Sequence, residues 1–186
     1  MLIAVIVIVV LLVVLALIII GLNNSMIGAR NRVDESWSGI DVQLKRRHDL
    51  VPNLVETVKG YATHEREVFE KVTAARAEAT KAHTPAEAAQ KEGQLTQALT
   101  DLRAVAENYP DLRATENFQK LQNELTEIED EIQASRRIYN SNVQAYNTKI
   151  QVFPNSIIAS NRGFTAREFF EIEDARDREP VQVSFS

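Results

Sequence analysis

The sequence predicts an all-α fold: an N-terminal transmembrane helix, then an elongated antiparallel helical bundle of one long kinked helix, two further long helices and a short C-terminal helix. Three observations carry this prediction. Residues 1–22 hold no charged side chain and are almost wholly Val, Ile, Leu and Ala. Trp37, Ile40, Leu44, Val51, Leu54, Val58, Tyr61, Val68, Val72 and Ala75 then recur at three- and four-residue steps, the period of an amphipathic helix. Gly and Pro are scarce beyond the apolar segment, while Ala, Glu, Gln and Leu are abundant. The resulting division is an anchor at 1–22, a juncture at 23–30, a bundle at 31–173 and an extended tail at 174–186.

The apolar run from Leu2 to Leu22 comes first. About 20 residues at ~1.5 Å each span a hydrocarbon core of roughly 30 Å. A cleaved signal peptide would have a basic start, a shorter apolar core and a small-x-small site; none is visible here. Arg30 and Arg32 follow the segment, with Lys45, Arg46 and Arg47 further on, and only the terminal amine precedes it. The positive-inside rule therefore places the C-terminal domain in the cytoplasm, on a single pass through the membrane. Asn23, Asn24, Ser25 and Gly28 form a weak spot that is either a hinge or a stretch of continuous helix.

The organising helix runs from Asn31 to about Ala79. Pro52 removes one backbone hydrogen bond and disfavours helical geometry at Val51. The apolar phase survives across it, so a kinked continuous helix is expected rather than a reversal. Thr84, Pro85 and Glu87 then give cap, first-turn proline and capping box for the second helix. Its apolar face is Leu95, Leu99, Leu102 and Ala106, and Tyr109-Pro110-Asp111 stops it. Thr115 caps the third helix. There Phe118, Leu121, Leu125, Ile128, Ile132, Ser135, Tyr139, Asn142 and Tyr146 keep a heptad register to the stop at Pro154. Thr165 with Glu168, and Phe164 with Phe169, combine capping box and staple, which predicts a fourth helix to about Ile172. Pro180 to Ser186 alternates as an extended tail.

Composition excludes several kinds of function. A net charge of −5 argues against nucleic-acid binding. The absence of cysteine excludes disulfides, thiolate metal sites and Cys nucleophiles. His64-Glu65-Arg66-Glu67-Val68 begins like a zinc-protease motif but has Val68 where the second His belongs. Glu124, Glu127 and Glu131, within an acidic run that includes Glu129 and Asp130, share a helical face that a hard cation could touch. Carboxylate bundles use inward Glu-x-x-His spacing, however, and Leu125, Ile128 and Ile132 already define the inner face. Asp34, Glu35, Asp41, Asp49 and Glu56 interleave with Arg and Lys as helical ion pairs. Nucleophile elbows, phosphate loops and dinucleotide fingerprints are missing. The polar seam residues are more informative: Tyr139-Asn140 and Tyr146-Asn147 repeat at heptad spacing, and His48, Asp49 and Asn53 surround Pro52. They read as a register-setting network, or as a recognition surface beside the kink.

These residues resemble the LemA family of bacterial membrane proteins. The resemblance rests on Asn31-Arg32-Val33-Asp34-Glu35-Ser36-Trp37, on Asp41 to Leu54, and on Val58-Lys59-Gly60-Tyr61 with His64-Glu65. It continues through Glu107-Asn108-Tyr109-Pro110, Arg136 to Asn140 with Tyr146-Asn147, Phe153-Pro154, Gly163-Phe164 and Phe169-Phe170-Glu171. It implies one membrane anchor, an antiparallel bundle, no established enzyme activity and no catalytic residues to carry over. A relative in magnetosome-forming bacteria is linked to membrane biogenesis, which by analogy implies a remodelling or scaffolding role.

The expected function is a membrane-anchored scaffold or interaction protein with no enzyme activity and no cofactor. Its partners are the lipid bilayer, further copies of itself and other membrane proteins. The alternatives are a metal-dependent hydrolase using the acidic helix face and an adaptor for another membrane protein. Self-association is expected because the second helix, about 35 Å long, would cover the first only to Leu54. Trp37, Ile40, Leu44 and Val51 would then form an exposed stripe that a second copy covers.

Overall fold

The computed structural model describes residues 1–171. Six helices and no strand occur among the described residues: α1 Leu2–Lys59, α2 Arg66–Ala79, α3 Pro85–Glu107, α4 Pro110–Arg113, α5 Glu116–Gln151 and α6 Asn155–Arg162. The chain forms two units. Among the described residues, one comprises 1–39 with 137–168, and the other 40–136 with 169–171. The expected tail at 174–186 lies outside the described residues.

α1 is unbroken through Asn23–Gly28 and through Pro52, so the juncture is helical and the chain does not reverse at the proline. It ends at Lys59, however, and not near Ala79. Tyr61 and Ala62 both donate to the Val58 carbonyl across Gly60, which closes the helix, and the six residues to Glu65 turn the chain back. α2 faces the same core from the other side. One apolar phase therefore describes two helices, and this is why periodicity alone reads them as one.

In the unit built on 40–136, α1 contributes Ile40, Leu44, Val51, Leu54, Val55 and Val58 to the core. α2 contributes Phe69, Val72 and Ala79, and α3 contributes Ala88, Ala89, Leu95, Ala98, Leu99, Leu102 and Ala106. Phe118, Leu121, Leu125, Ile128 and Ile132 of α5 close it. Lys71 on α2 pairs with Asp101 on α3, and Lys91 on α3 with Glu78 on α2, which fixes those two helices antiparallel. Asn117 of α5 donates to Thr57 of α1 at 3.3 Å. The α3 start is as the sequence predicts: Thr84 Oγ1 accepts from the Glu87 amide at 3.2 Å. The Glu87 carboxylate accepts from His83 N–H, one residue earlier than a standard box. Thr115 likewise caps α5, accepting from the Phe118 amide.

In the other unit, Met26, Ala29 and Val33 of α1 face Tyr139, Val143, Tyr146 and Ile150 of α5. Lys149 Nζ donates to Ser25 Oγ at 2.9 Å and Asn142 Nδ2 to the Arg32 carbonyl at 3.4 Å. These two pairs share one antiparallel register. After Pro154 the chain forms α6, which the sequence reading does not contain. Gly163 ends it in the left-handed conformation (φ 71°, ψ 29°), a C-terminal position that glycine fills without strain.

The expected helix from Thr165 to Ile172 is absent over its described part, since Phe164–Glu171 is non-helical. Side chains of α5 take the backbone groups of Thr165, Arg167 and Glu168. These bonds replace those an α-helix would make, and they override the local capping signals.

Candidate functional site

Two constellations of polar side chains stand inside this helical frame. The first belongs to the unit of residues 40–136 and is built on the Arg47-His48 pair. Position 44 of the α1 stripe leads by helical steps to 47, 48 and 51, so both residues face the core. Arg47 is 2% exposed and His48 7%, and Glu92 on α3 is 1% exposed. The Glu92 carboxylate accepts from Arg47 Nη1 at 3.1 Å and bonds His48 Nε2 at 2.6 Å. Arg47 Nη2 donates to Thr96 Oγ1 at 2.8 Å, and Glu129 of α5 stands 3.5 Å away. Arg47 Nε has no hydrogen-bond partner. Burying these charges is costly in itself. Their mutual pairing offsets the cost, and it ties α1, α3 and α5 to one axial position.

Pro52 supplies the other half of this constellation. In an unbroken helix its amide would donate to the carbonyl of His48, four residues earlier, but proline has no amide hydrogen. Arg76 of α2 takes the vacancy: its Nε donates to the His48 carbonyl at 2.6 Å. The helix-breaking residue thus leaves an acceptor at one point on α1, and a guanidinium from the returning helix occupies it.

The second constellation belongs to the unit of residues 1–39 and 137–168. Tyr139 donates to the Glu168 carbonyl at 2.8 Å and Tyr146 to the Thr165 carbonyl at 3.0 Å. Seven residues of helix advance about 10.5 Å, and three residues of extended chain advance about 10 Å. The heptad spacing of the tyrosines therefore matches every third carbonyl of an extended segment. Asn147 adds a two-way contact with Arg167, donating to its carbonyl at 2.9 Å and accepting from its amide at 2.8 Å. The Arg167 guanidinium reaches Asp34 of α1 at 2.9 Å, and Arg30 lies 5.6 Å over the Phe164 ring. Burial raises the Tyr139 hydroxyl pKa to about 12, and burial also raises that of Tyr146.

The four residues expected at a subunit contact divide as follows. Ile40, Leu44 and Val51 are buried within the chain itself. Trp37 is half-buried, with its ring centroid 5.4 Å from that of Tyr139. The premise of that contact, an apolar stripe without intramolecular neighbours, is thereby corrected. The reversal at Gly60–Glu65 and the 36-residue α5 supply the cover that a bundle turning near Lys81 lacks. Of the residues around Pro52, His48 joins the buried network, while Asp49 and Asn53 are exposed and do not form a surface with it.

The sequence reading missed Arg47, Arg76 and Glu92. Arg47 and Glu92 lie in phase with the apolar stripes of α1 and α3, a signal that was available. Glu127 and Glu131 are exposed and Glu124 half-buried. Among the described residues no three His, Asp or Glu side chains converge closely enough to hold a metal ion.

Leu2–Gly21 is exposed along its entire length and is the one helical stretch, among the described residues, long and apolar enough to cross a membrane. The LemA family profile matches residues 36–185. The magnetosome proteins MamQ 1 and MamQ 2 of Paramagnetospirillum magneticum are each 26% identical over 180 residues, covering 83% of this chain and 66% of each relative. Protein LemA of Metamycoplasma hominis is 26% identical over 141 residues, 75% of this chain and 64% of that protein. The chain spans just under two thirds of the length of these curated relatives. With an apolar N-terminal helix leading into an all-helical domain and the profile running through most of its length, the protein belongs to the LemA family.

Proposed function

We propose that the protein is a membrane-anchored helical scaffold that holds other membrane components through its bundle surface, without chemistry of its own. The observation that carries this reading is the continuity of α1. One helix provides both the apolar segment and the first core stripe of the domain, with no linker between them. The polar side chains turned inward bond to one another or to backbone, as register-setting groups do. The MamQ relatives are named magnetosome proteins, and the resemblance to that family favours, by analogy, a role in membrane organisation. Arg30 and Arg32 after the apolar segment favour a cytoplasmic domain in the inner membrane of a bacterium.

Photo-crosslinking in native membranes tests the reading. The reporter belongs at exposed apolar positions such as Val42 and Tyr61. A discrete adduct with another membrane protein supports the scaffold, and one dominant partner makes it an adaptor. An adduct with a second copy supports self-association through a face other than the α1 stripe. Saturable turnover of a substrate by the purified protein, abolished by point substitution, would refute the scaffold reading.

A further inference from the structure

The α5–α6 corner exposes apolar side chains. Just past the end of α5, Phe153 is 80% exposed and Val152 47%, and in the first turn of α6 Ile157 is 55% exposed, at positions where polar residues would cost nothing. Their level along α1 is set within one unit. Lys149 meets Ser25 and Asn142 meets Arg32 in a single antiparallel register. That register carried to the end of α5 puts Val152 level with Leu22 and Phe153 level with Gly21, the last residues of the apolar segment. An aromatic tip at that level meets the headgroup region of any bilayer that the segment spans.

The charge around the corner has one sign. From Ile132 to Arg167 there are five basic residues and no acidic one, and α1 has no acidic residue before Asp34. Asp34 lies about 18 Å beyond Leu22 along the helix, more than two screening lengths at physiological salt. Lys149 and Arg162 bracket the corner. An apolar tip flanked by cations is the pattern of an interfacial membrane contact, and it complements anionic headgroups.

We propose that Val152, Phe153 and Ile157 form a second membrane contact, which inserts into the surface of the same bilayer that holds α1 and prefers anionic lipid. The corner grips the leaflet from the side and holds the base of α5 against it. This inference rests on the reading of Leu2–Leu22 as a membrane span.

The absence of cysteine makes single-site labelling clean. Full-length protein carrying Val10→Cys, Phe153→Cys or Ile138→Cys is nitroxide-labelled and reconstituted into vesicles of phosphatidylcholine, with or without phosphatidylglycerol. Accessibility to oxygen, which partitions into lipid, is compared with accessibility to a water-soluble nickel chelate. Ile138 is the control, 59% exposed and about 16 Å back along α5 from Lys149, away from the corner. The expected oxygen-to-nickel ratio is high at Val10, several-fold higher at Phe153 than at Ile138, and higher still at Phe153 when phosphatidylglycerol is present. A high ratio at Val10 with equal ratios at Phe153 and Ile138 overturns the second contact and leaves the anchor intact. A low ratio at Val10 overturns the anchor. Protection of Phe153 from both reagents means burial against protein and overturns the lipid assignment. A depth at Phe153 that ignores phosphatidylglycerol overturns the preference for anionic lipid.

Discussion

Replacing Pro52 and Arg76 by alanine, singly and together, tests whether the proline creates a docking point for α2. In the native chain the His48 carbonyl has no helical donor, because residue 52 has no amide hydrogen, and Arg76 Nε fills its place at 2.6 Å. Arg76→Ala removes a charge-assisted bond and strands a part-buried carbonyl, at a cost of about 1.5–3 kcal/mol. Pro52→Ala restores an amide donor to that carbonyl and relieves an interior proline, whose intrinsic helix penalty is about 3 kcal/mol; a net stabilisation is expected. In the Pro52→Ala background the carbonyl keeps a backbone donor whether or not Arg76 is present, so Arg76→Ala should cost about 1 kcal/mol or less. The predicted coupling is therefore about 1–2 kcal/mol, readable as a double-mutant cycle. Urea unfolding of the full chain in detergent, followed by helical circular dichroism, gives the four stabilities from midpoints at constant slope. Effects that add to within about 0.5 kcal/mol would refute the reasoning.

The other predictions follow the same geometry. Glu92→Ala should destabilise the bundle by about 3–5 kcal/mol by stranding Arg47, whereas Arg47→Met, His48→Leu and Glu92→Met together should be neutral or stabilising; urea midpoints of the two variants separate these outcomes. Tyr146→Phe should cost about 1–2 kcal/mol by leaving the Thr165 carbonyl unpaired, and Asn147→Ala, which loses two bonds, should cost more. Limited proteolysis should then cleave sooner between Gly163 and Glu168. Tyr139 is neutral when it donates, and burial raises its pKa to about 12 in the folded chain against about 10 when unfolded. The folded state thus binds the proton more tightly, so the contribution is complete below pH ~10 and is lost as pH rises from about 10 to about 12. Phenolate absorbance followed alongside circular dichroism checks this.

Much of the architecture was legible because helices announce themselves locally. The α3 cap at Thr84, the α5 cap at Thr115 and the passage of α1 through Pro52 all follow from residues within a turn or two of each feature. The departures share a different cause. The turn at Gly60 contains no proline, and both helices beside it face one core, so their apolar phases merge. Arg47 counted only as one of the basic residues after the apolar segment and Glu92 was not singled out, because one helix in isolation does not show that an opposite charge awaits on another. Thr165 and Glu168 carry a valid capping signal, but Tyr139, Tyr146 and Asn147 claim that backbone from outside. The tyrosine–asparagine repeat was visible at its heptad spacing; the segment it holds lies some twenty to thirty residues away and was not.

The central claim is that the α1 stripe serves as the spine of a bundle closed by its own chain, rather than as a face shared between copies. Thr57 and Asn117 are in side-chain contact at 3.3 Å across α1 and α5, and the chain has no other cysteine to confuse a crosslink. Thr57→Cys with Asn117→Cys is oxidised in native membranes from cells that also express a differently tagged copy of the same variant. The account predicts a disulfide within a single chain, seen as a monomer-sized band of altered mobility. Disulfide-linked dimers carrying both tags as the main product would contradict it.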